Sequence, residues 1–304
     1  MAGQSVVVIG GANMDIAGRA SGPLLAHDSS IGAVSMSHGG VGRNIAHNLA
    51  LLGADVHLIA PFGRDALADD LARGCLEAGI GIEHSFVVEN ASTSTYLYVM
   101  DAEGEMQLAI NDMAIVESLS AERLEERLGL IRGAAVCVID ANLTPETLAW
   151  IAANVDVPLF ADPISVAKAP RLAGVVGRLH SFKPNRFEAE ELTGTADMDE
   201  AADRLIATGL GRAFISLGRK GLLCAEGDTR LRLARPEGGA VVNATGAGDA
   251  MMAALVWSHL MGLDLGDAAR AGMAASAIAL ESTETVNPQM SEELLRMRMK
   301  EWFA

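Results

Sequence analysis

The sequence is short of aromatic residues and of net positive charge. Phe, Trp and Tyr make up 4% of its 304 residues, so we expect a core of small aliphatic side chains packed between helices and a sheet. The formal net charge is −16, which excludes nucleic acid as a bulk partner because phosphate backbones select surfaces rich in Lys and Arg. It also disfavours anionic membrane surfaces. A small phosphate-bearing molecule can still bind at a local site of backbone amides.

Cysteine and long apolar runs are scarce as well. The three cysteines, Cys75, Cys137 and Cys224, are far apart and odd in number, which predicts buried free thiols and no disulfide framework. No uninterrupted apolar run reaches the roughly 18 residues of a membrane span. The first ten residues, MAGQSVVVIG, are typical of a strand and not of a signal peptide. We therefore expect a cytoplasmic protein.

Short Val- and Ile-rich runs alternate with longer Ala- and Leu-rich helical patterns along the chain. This alternation is typical of an α/β fold with a mainly parallel sheet, here in a single domain over residues 1–304. Strands are predicted at residues 5–9, 56–60, 135–139, 159–161, 180–182, 213–217 and 222–225. Helices are predicted at residues 42–52, 66–78, 121–131, 145–153, 186–192, 198–207, 246–261, 266–280 and 291–302.

Two segments, residues 16–37 and 92–112, interrupt the alternation. The second alternates with period two around an Asp-Ala-Glu-Gly turn, which predicts a β-hairpin. A hairpin inserted in a βα alternation often projects from the main sheet and carries function. We expect both segments to form a small lid. The alternative is an extra pair of edge strands on the main sheet.

The strongest local signal is the stretch NATGAGD, residues 243–249, directly before a helical pattern. Small residues at a helix start leave the first backbone N–H groups free, and the helix dipole makes them an anion site. Asp249 stands beside that site. Such a pair suits phosphoryl transfer to a hydroxyl, with the amides stabilising phosphoryl charge and the carboxylate taking the proton. The alternative is an ordinary helix start with a favourable acidic residue.

Two further stretches carry polar residues at the ends of predicted elements. GGVGRN, residues 39–44, precedes a helix and matches neither the dinucleotide fingerprint nor a Walker A loop. Asn13 and Asp15 follow the first strand, where open α/β sheets place their ligands. Asp15 can accept hydrogen bonds from two hydroxyls of a polyol. A glycine-rich turn and a polar turn remain the alternatives.

The last two motifs follow later strands. Asn185 and Glu188 lie one helical turn apart and could hold hydrated Mg²⁺ or phosphate, although an N-cap Asn followed by Glu is equally typical of a capping box. SLGRKG, residues 216–221, joins two apolar runs. It is either a simple hairpin turn or a turn whose backbone passes close to a nucleotide.

These five motifs, in this order and over essentially the whole chain, resemble the ribokinase/PfkB family of carbohydrate and nucleoside kinases. The resemblance implies a ribokinase-like three-layer α/β fold with a small β-sheet lid formed by residues 16–37 and 92–112. It implies ATP and Mg²⁺ as cofactors and a small nucleoside or sugar as acceptor. In many relatives the lid also forms the dimer contact, so a homodimer is expected.

Family roles carry over position by position. Asp249 matches the catalytic base, and Gly246, Ala247 and Gly248 match the anion hole. Acceptor-binding positions match Asn13, Asp15, Gly40, Asn44 and Asn142. The Mg²⁺ and phosphate motif matches Asn185 and Glu188. Nucleotide-binding positions match Asn185, Ser216, Gly218, Gly221, Gly246, Gly248, Ala275 and Ala279, of which the last two lie on a small-residue helix expected to shelve the adenine.

Within the family the closest resemblance is to pseudouridine kinases, through GGVGRNIAHNLALLG, GEMQLAINDM and NATGAGDAMMA. It implies phosphorylation of the 5′-hydroxyl of pseudouridine, with Thr95, Asn111 and Asp112 of the lid reading the pyrimidine edge. Asn243 stands where many relatives carry an Asp that helps hold a monovalent cation, so a K⁺ requirement stays open. A kinase for another nucleoside or for ribose or fructose is the nearest alternative. A non-catalytic ligand-binding protein on the same fold is the other.

Overall fold

The computed structural model describes residues 4–25, 27–236 and 241–303. The strands in these ranges are β1 (Ser5–Ile9), β2 (Asn13–Ala20), β3 (Gly32–Gly39), β4 (Asp55–Ile59), β5 (Pro61–Phe62), β6 (Phe86–Val87), β7 (Thr95–Met100), β8 (Met106–Asp112), β9 (Val136–Asp140), β10 (Leu159–Asp162), β11 (Ser181–Phe182), β12 (Arg212–Ser216), β13 (Leu222–Glu226) and β14 (Thr229–Leu233). The α-helices are α1 (Val41–Leu51), α2 (Ala66–Glu77), α3 (Ala121–Glu125), α4 (Leu128–Gly133), α5 (Pro145–Asn154), α6 (Arg186–Thr193), α7 (Met198–Ala207), α8 (Ala247–Leu260), α9 (Leu265–Leu280) and α10 (Glu292–Phe303).

The central sheet has eight strands in the order β14-β13-β12-β11-β10-β9-β1-β4. Its strands pair in parallel from β4 to β12, and β13 and β14 extend it antiparallel. Side chains of β1 alternate between two cores: Val6 and Val8 pack with α1, α2, α8 and α9, while Val7 and Ile9 pack with α3 to α7. Both faces of the sheet are therefore covered by helices, and the predicted three-layer fold is confirmed.

A second, smaller sheet holds four strands in the order β3-β2-β7-β8. The predicted hairpin at 92–112 is confirmed as β7 and β8, which pair antiparallel with each other and join the small sheet through β2. The alternative of edge strands on the main sheet is wrong. The segment 16–37 supplies most of β2 and β3, two strands that the sequence pattern did not predict individually.

Other predicted elements agree with the structure to within a few residues, with one clear exception. The helix predicted at 121–131 is two short helices, α3 and α4. The break falls at Arg127, whose guanidinium Nε donates to the backbone carbonyl of His84 at 2.6 Å. That long-range bond ties the chain to the β6 region and outweighs the local helical preference. Among the described residues, no helix has both the length and the apolar character needed to cross a bilayer.

Candidate active site

The carboxyl ends of the parallel strands gather the polar residues, and Asp140 at the end of β9 organises them. Its Oδ2 accepts from the backbone N–H groups of Gly11 at 2.8 Å and Gly42 at 3.1 Å. Its Oδ1 accepts from the N–H of Asn142 at 2.9 Å. A Cβ on Gly10 would collide with this carboxylate. One buried side chain thus fixes the exit of β1, the start of α1 and the predicted acceptor residue Asn142.

The helices α1 and α8 begin differently from their neighbours. Side chains of Asp65, Asn185 and Asp264 cap the starts of α2, α6 and α9. By contrast, α1 and α8 begin after Gly40 and Gly246, which offer no side-chain cap. In α1 the N–H of Gly42 donates to Asp140 Oδ2 and the N–H of Arg43 donates to the carbonyl of Gly11. Of these two glycine-rich helix starts in the described chain, α8 is therefore the one whose first backbone N–H groups stay open to a ligand.

The start of α8 has the features expected of an anion site. Gly246 has φ of 82°, a left-handed conformation, and a Cβ there would collide with the backbone carbonyl of Thr285. The first backbone bond of the helix runs from the N–H of Ala250 to the carbonyl of Gly246 at 2.9 Å. The N–H groups of Ala247, Gly248 and Asp249 therefore have no partner within the helix. Together with the helix dipole they make a site for an oxyanion.

Asp249 lies in the first turn of α8 and faces α1. Its residue is 8% exposed, and its Oδ2 accepts from the side-chain amide of Asn44 at 2.9 Å. Burial, followed by the charge of Asp162, raises the pKa of Asp249 to about 8, although Asn44 and Lys183 act in the opposite direction. A carboxylate with a pKa near neutral pH is suited to accept a proton from a reacting hydroxyl.

Of the residues predicted to bind the acceptor, Asn44 contacts this carboxylate, and Asn13, Asp15 and Gly40 lie in β2 and directly before α1. Asn13 donates through Nδ2 to Oδ1 of Asp15 at 2.6 Å, and burial raises the pKa of Asp15. Gly40 has φ of 98°, and a Cβ there would collide with the backbone at Gly11. Within the described chain, the buried Oδ1 of Asn44 has no hydrogen-bond donor. This atom is also closed to solvent, so Asn44 meets the site through the amide that donates to Asp249.

The small sheet presents two unlike faces. Asp15 pairs in register with Ser37 and Tyr96, and Tyr96 pairs with Asn111, so these side chains share one face. Tyr98 lies on the same face, because it stands two residues along β7 from Tyr96. Burial, followed by the charge of Asp15, raises the pKa of its hydroxyl.

Thr95 and Asp112 pair with each other and lie one residue out of phase with Asp15. The structure therefore places these two predicted base readers on the face opposite to Asp15, and it places only Asn111 on the face of Asp15. The opposite face is mainly apolar and exposed. Its large members are Val34, Met36, Leu97, Leu108 and Ile110.

The predicted nucleotide side is a cavity of about 380 Å³. Ser216, Gly218 and Gly221 line it, and so do Ala247 and Gly248 at the start of α8. The α9 residues that line the cavity differ by about one position from those predicted to contact the adenine. Ala275 and Ala279 are buried in the core against other helices. The α9 residues that line the cavity are Met273, Ser276, Ala277 and Leu280.

Asn185 and Glu188 form a complete capping box at the start of α6. Asn185 Oδ1 accepts from the N–H of Glu188 at 3.0 Å, and Glu188 Oε2 accepts from the N–H of Asn185 at 2.7 Å. The capping box that the sequence also allowed is thus present. The remaining oxygen of the buried Glu188 is still available to a hydrated ion. The described residues contain no group of three or more His, Cys, Asp and Glu that could hold a metal, so Mg²⁺ would need ligands from a bound nucleotide, as it commonly does.

Three polar residues of this region, Asp140, Asp162 and Lys183, were missed by the sequence analysis. Each ends or directly follows a buried strand, and the three strands are neighbours in the sheet. Lys183 Nζ lies 3.1 Å from Asp162 Oδ2. A polar residue at the end of a Val- and Ile-rich run was the available signal, since open α/β sheets bind ligands there.

Comparison with known proteins agrees with this geometry. The pfkB family of carbohydrate kinases matches residues 3–292. Pseudouridine kinase of Escherichia coli K12 is 38% identical over 292 residues, which cover 94% of this chain and 93% of that protein. Guanosine-inosine kinase of Exiguobacterium acetylicum is 28% identical over 305 residues, 95% of this chain and 99% of that protein. A crystal structure of a carbohydrate kinase from Agrobacterium tumefaciens superposes with a TM-score of 0.89 at 28% identity, covering 98% and 97% of the two chains.

The chain therefore belongs to the pfkB family of carbohydrate kinases. It is an ATP-dependent kinase that acts on a sugar or a nucleoside.

Proposed function

We propose that this kinase phosphorylates the 5′-hydroxyl of pseudouridine to give pseudouridine 5′-phosphate. The observation that carries the proposal is the juxtaposition of Asp249 with three uncapped amides of α8 and with Asn44 of α1. The identity to the Escherichia coli pseudouridine kinase supports this acceptor above other nucleosides. That sequence identity extends over nearly the full length of both chains.

In the proposed reaction Asp249 takes the proton of the acceptor hydroxyl while the oxygen of that hydroxyl attacks the γ-phosphorus of ATP. The bond between that phosphorus and the β,γ-bridging oxygen breaks, the new phosphate ester forms, and ADP leaves. The amides of Ala247, Gly248 and Asp249 stabilise charge on the phosphoryl oxygens. Asp249 then releases its proton to solvent. A pKa near 8 lets this carboxyl both accept and release a proton close to neutral pH.

Asn13, Asp15, Gly40, Asn44 and Asn142 are proposed to hold the ribose. Asp15 suits the 2′- and 3′-hydroxyls, since a carboxylate accepts from two donors at once. For the base we propose the polar face of the small sheet. Asn111 offers a donor and an acceptor, and Tyr96 and Tyr98, whose ring centroids are 5.4 Å apart, offer aromatic surface.

We propose that ATP occupies the cavity lined by Ser216, Gly218 and Gly221. Asn185 and Glu188 would hold Mg²⁺, which would offset the negative charge of the phosphates. The K⁺ requirement is open because Asn243 is neutral. Its Nδ2 donates to the carbonyl of Thr283 at 3.2 Å, and its Oδ1 accepts from the N–H of Thr245 at 3.0 Å. These bonds tie the loop without a cation. We therefore propose that activity responds only weakly to K⁺.

The small sheet is proposed to be a lid within a single domain, closing over the acceptor to exclude water. We propose that the exposed apolar face of this sheet packs against the same face of a second copy, giving a homodimer. Contiguous exposed apolar surface of this kind marks interaction sites in soluble proteins. A self-complementary face is what a two-fold dimer requires.

The substrate proposal is tested by measuring kcat/KM for pseudouridine, uridine, cytidine, inosine, guanosine, ribose and fructose with ATP. The highest value is expected for pseudouridine. A higher value for inosine or guanosine would favour a purine nucleoside kinase, and one for ribose or fructose a sugar kinase. Binding of these compounds without transfer to any of them would favour the ligand-binding alternative.

A further inference from the structure

Lys183 is a buried cation that the proposed reaction has not yet used. It follows β11, and its side chain is 8% exposed. It forms an ion pair with Asp162, in a region that also holds the carboxylates of Asp140 and Asp249.

The ammonium group lies directly beside the anion site. A Cβ atom placed on Gly248 would be 3.2 Å from Lys183 Nζ, so the charge stands over the uncapped start of α8. Lys183 also lines the same cavity as Ser216, Gly218 and Gly221. It is thus shared between the nucleotide cavity and the point where Asp249 meets the acceptor.

Only part of the hydrogen-bonding capacity of this ammonium is used. Nζ has three donors, and in the part of the chain that the structure describes, it forms an ion pair with Asp162 Oδ2 at 3.1 Å while that oxygen accepts no hydrogen bond. Asp162 is itself held, since its Oδ1 accepts from the backbone N–H of Ile164 at 2.8 Å. Ile164 has φ of 64°, an unfavourable conformation for a β-branched residue. The turn after β10 is thus strained where it positions Asp162 against Lys183.

We propose that Lys183 binds the γ-phosphoryl group of ATP together with the amides of α8, and that Asp162 holds the ammonium in place until the nucleotide arrives. Three carboxylates, Asp140, Asp162 and Asp249, lie close enough to influence one another, and they would repel a triphosphate. A buried ammonium at this point offsets that repulsion. It also supplies charge-assisted hydrogen bonds to the phosphoryl oxygens as the bridging bond breaks.

The inference rests on the ATP-dependent transfer described above but not on which acceptor is used. Its test therefore measures nucleotide binding without any acceptor. Dissociation constants for ADP and for the non-hydrolysable analogue adenylyl imidodiphosphate are measured by calorimetry with Mg²⁺, for the full chain and for Lys183→Met. The variant should bind the triphosphate analogue about 10- to 100-fold more weakly, the range for a lost hydrogen bond to a charged group, and should bind ADP almost as before.

A purely structural role for Lys183 is separated by a second variant. Lys183→Met leaves Asp162 as an unpaired buried carboxylate, which destabilises the fold. In Lys183→Met with Asp162→Asn both charges are gone, so the melting temperature should recover while the preference for the triphosphate analogue stays lost. Lys300→Met, which removes an exposed lysine charge on α10, controls for the change in net charge.

A third readout is the pH profile of kcat/KM with whichever acceptor turns over. Lys183 lowers the pKa of Asp249, so its removal should shift the acidic limb toward higher pH. Equal losses for ADP and the triphosphate analogue, or recovery of the triphosphate preference in the double variant, would overturn the inference. A poor rate with pseudouridine but a retained triphosphate effect would contradict only the proposed substrate.

Discussion

The two sheets of this protein are built in opposite ways. In the central sheet the side chains of Val6, Val7 and Ile9 are fully buried between two layers of helices. In the small sheet Leu108 and Ile110 are 61% and 58% exposed, and no helix layer covers them in the described structure. The first sheet is fixed by packing on both sides, whereas the second depends on a few contacts at its base.

This difference separates two tasks of a kinase. The residues proposed for phosphoryl transfer are held by bonds that cross the core, such as Asn44 to Asp249 and Asp140 to the N–H groups of Gly11 and Gly42. Preorganised charge of this kind requires a rigid frame. The proposed lid carries side chains that can change without disturbing that frame. Variants in the central site should therefore alter the rate, and variants in the lid should alter acceptor affinity and association.

The largest effect is expected for Asp249→Asn. The substitution keeps the size of the side chain but removes the proton acceptor, so kcat should fall by about 10²- to 10⁴-fold, while the dissociation constant for ADP stays similar. Steady-state kinetics and calorimetry measure the two quantities.

Asp267→Asn is the matched control. Asp267 occupies the same first-turn position in α9, and its side chain is 43% exposed and pairs with Arg270, so its replacement should leave kcat unchanged. Equal effects of the two variants would mean that Asp249 acts only as a helix-start charge.

The second prediction concerns the apolar face of the lid. Leu108→Lys places a charge in the proposed contact between two copies, so it should convert a dimer to a monomer in sedimentation velocity. Met297→Lys, at an exposed apolar residue of α10, should leave the dimer intact. A wild-type monomer at all concentrations would refute the proposed association.

How far the sequence predicts this molecule depends on whether a feature is local. The helix starts at Gly40 and Gly246 were predictable, because glycine before a helical pattern has a direct structural meaning. The role of Asp140 was not, because it requires β9 to lie beside β1, 129 residues away in the chain. The faces of the small sheet depend on strand register, because one residue along a strand changes the face. Thr95 and Asp112 therefore lie on the face opposite to Asp15. The face of α9 was also not predictable from the sequence, because the residues that line the cavity differ from Ala275 and Ala279 by about one position.

The third prediction compares the two faces of the small sheet. Asn111→Ala removes a polar group on the face of Asp15, so the KM for the acceptor should rise by about 10-fold, the cost of one lost hydrogen bond in a site, with a smaller change in kcat. Asp112→Ala, on the opposite face, should change KM less. Steady-state kinetics with the preferred acceptor measure both. A larger effect at Asp112 would contradict the assignment of faces and restore the prediction made from sequence.

The smallest effect is expected for the stability of the central body at low pH. The His180 ring lies 5.1 Å from Phe160 and 4.4 Å from His259, measured between centroids. Burial, then the charges of His259 and Arg212, lowers the pKa of His180 from 6.5 to about 4, with Glu226 acting in the opposite direction. Between these pH values the unfolded chain binds a proton at His180 and the folded chain does not. The free energy of unfolding is therefore unaffected by His180 above pH 6.5 and falls as the pH drops toward 4.

His180→Phe keeps the ring stack but cannot take up a proton, so its melting temperature should fall less steeply over this range than that of the parent chain. His47 also has its pKa lowered to about 4 by burial, so part of the slope should persist in the variant. Thermal unfolding followed by circular dichroism at several pH values measures the slopes. Identical slopes for the two proteins would show that the stack at His180 does not couple proton uptake to folding, and that the acid sensitivity arises elsewhere in the central body.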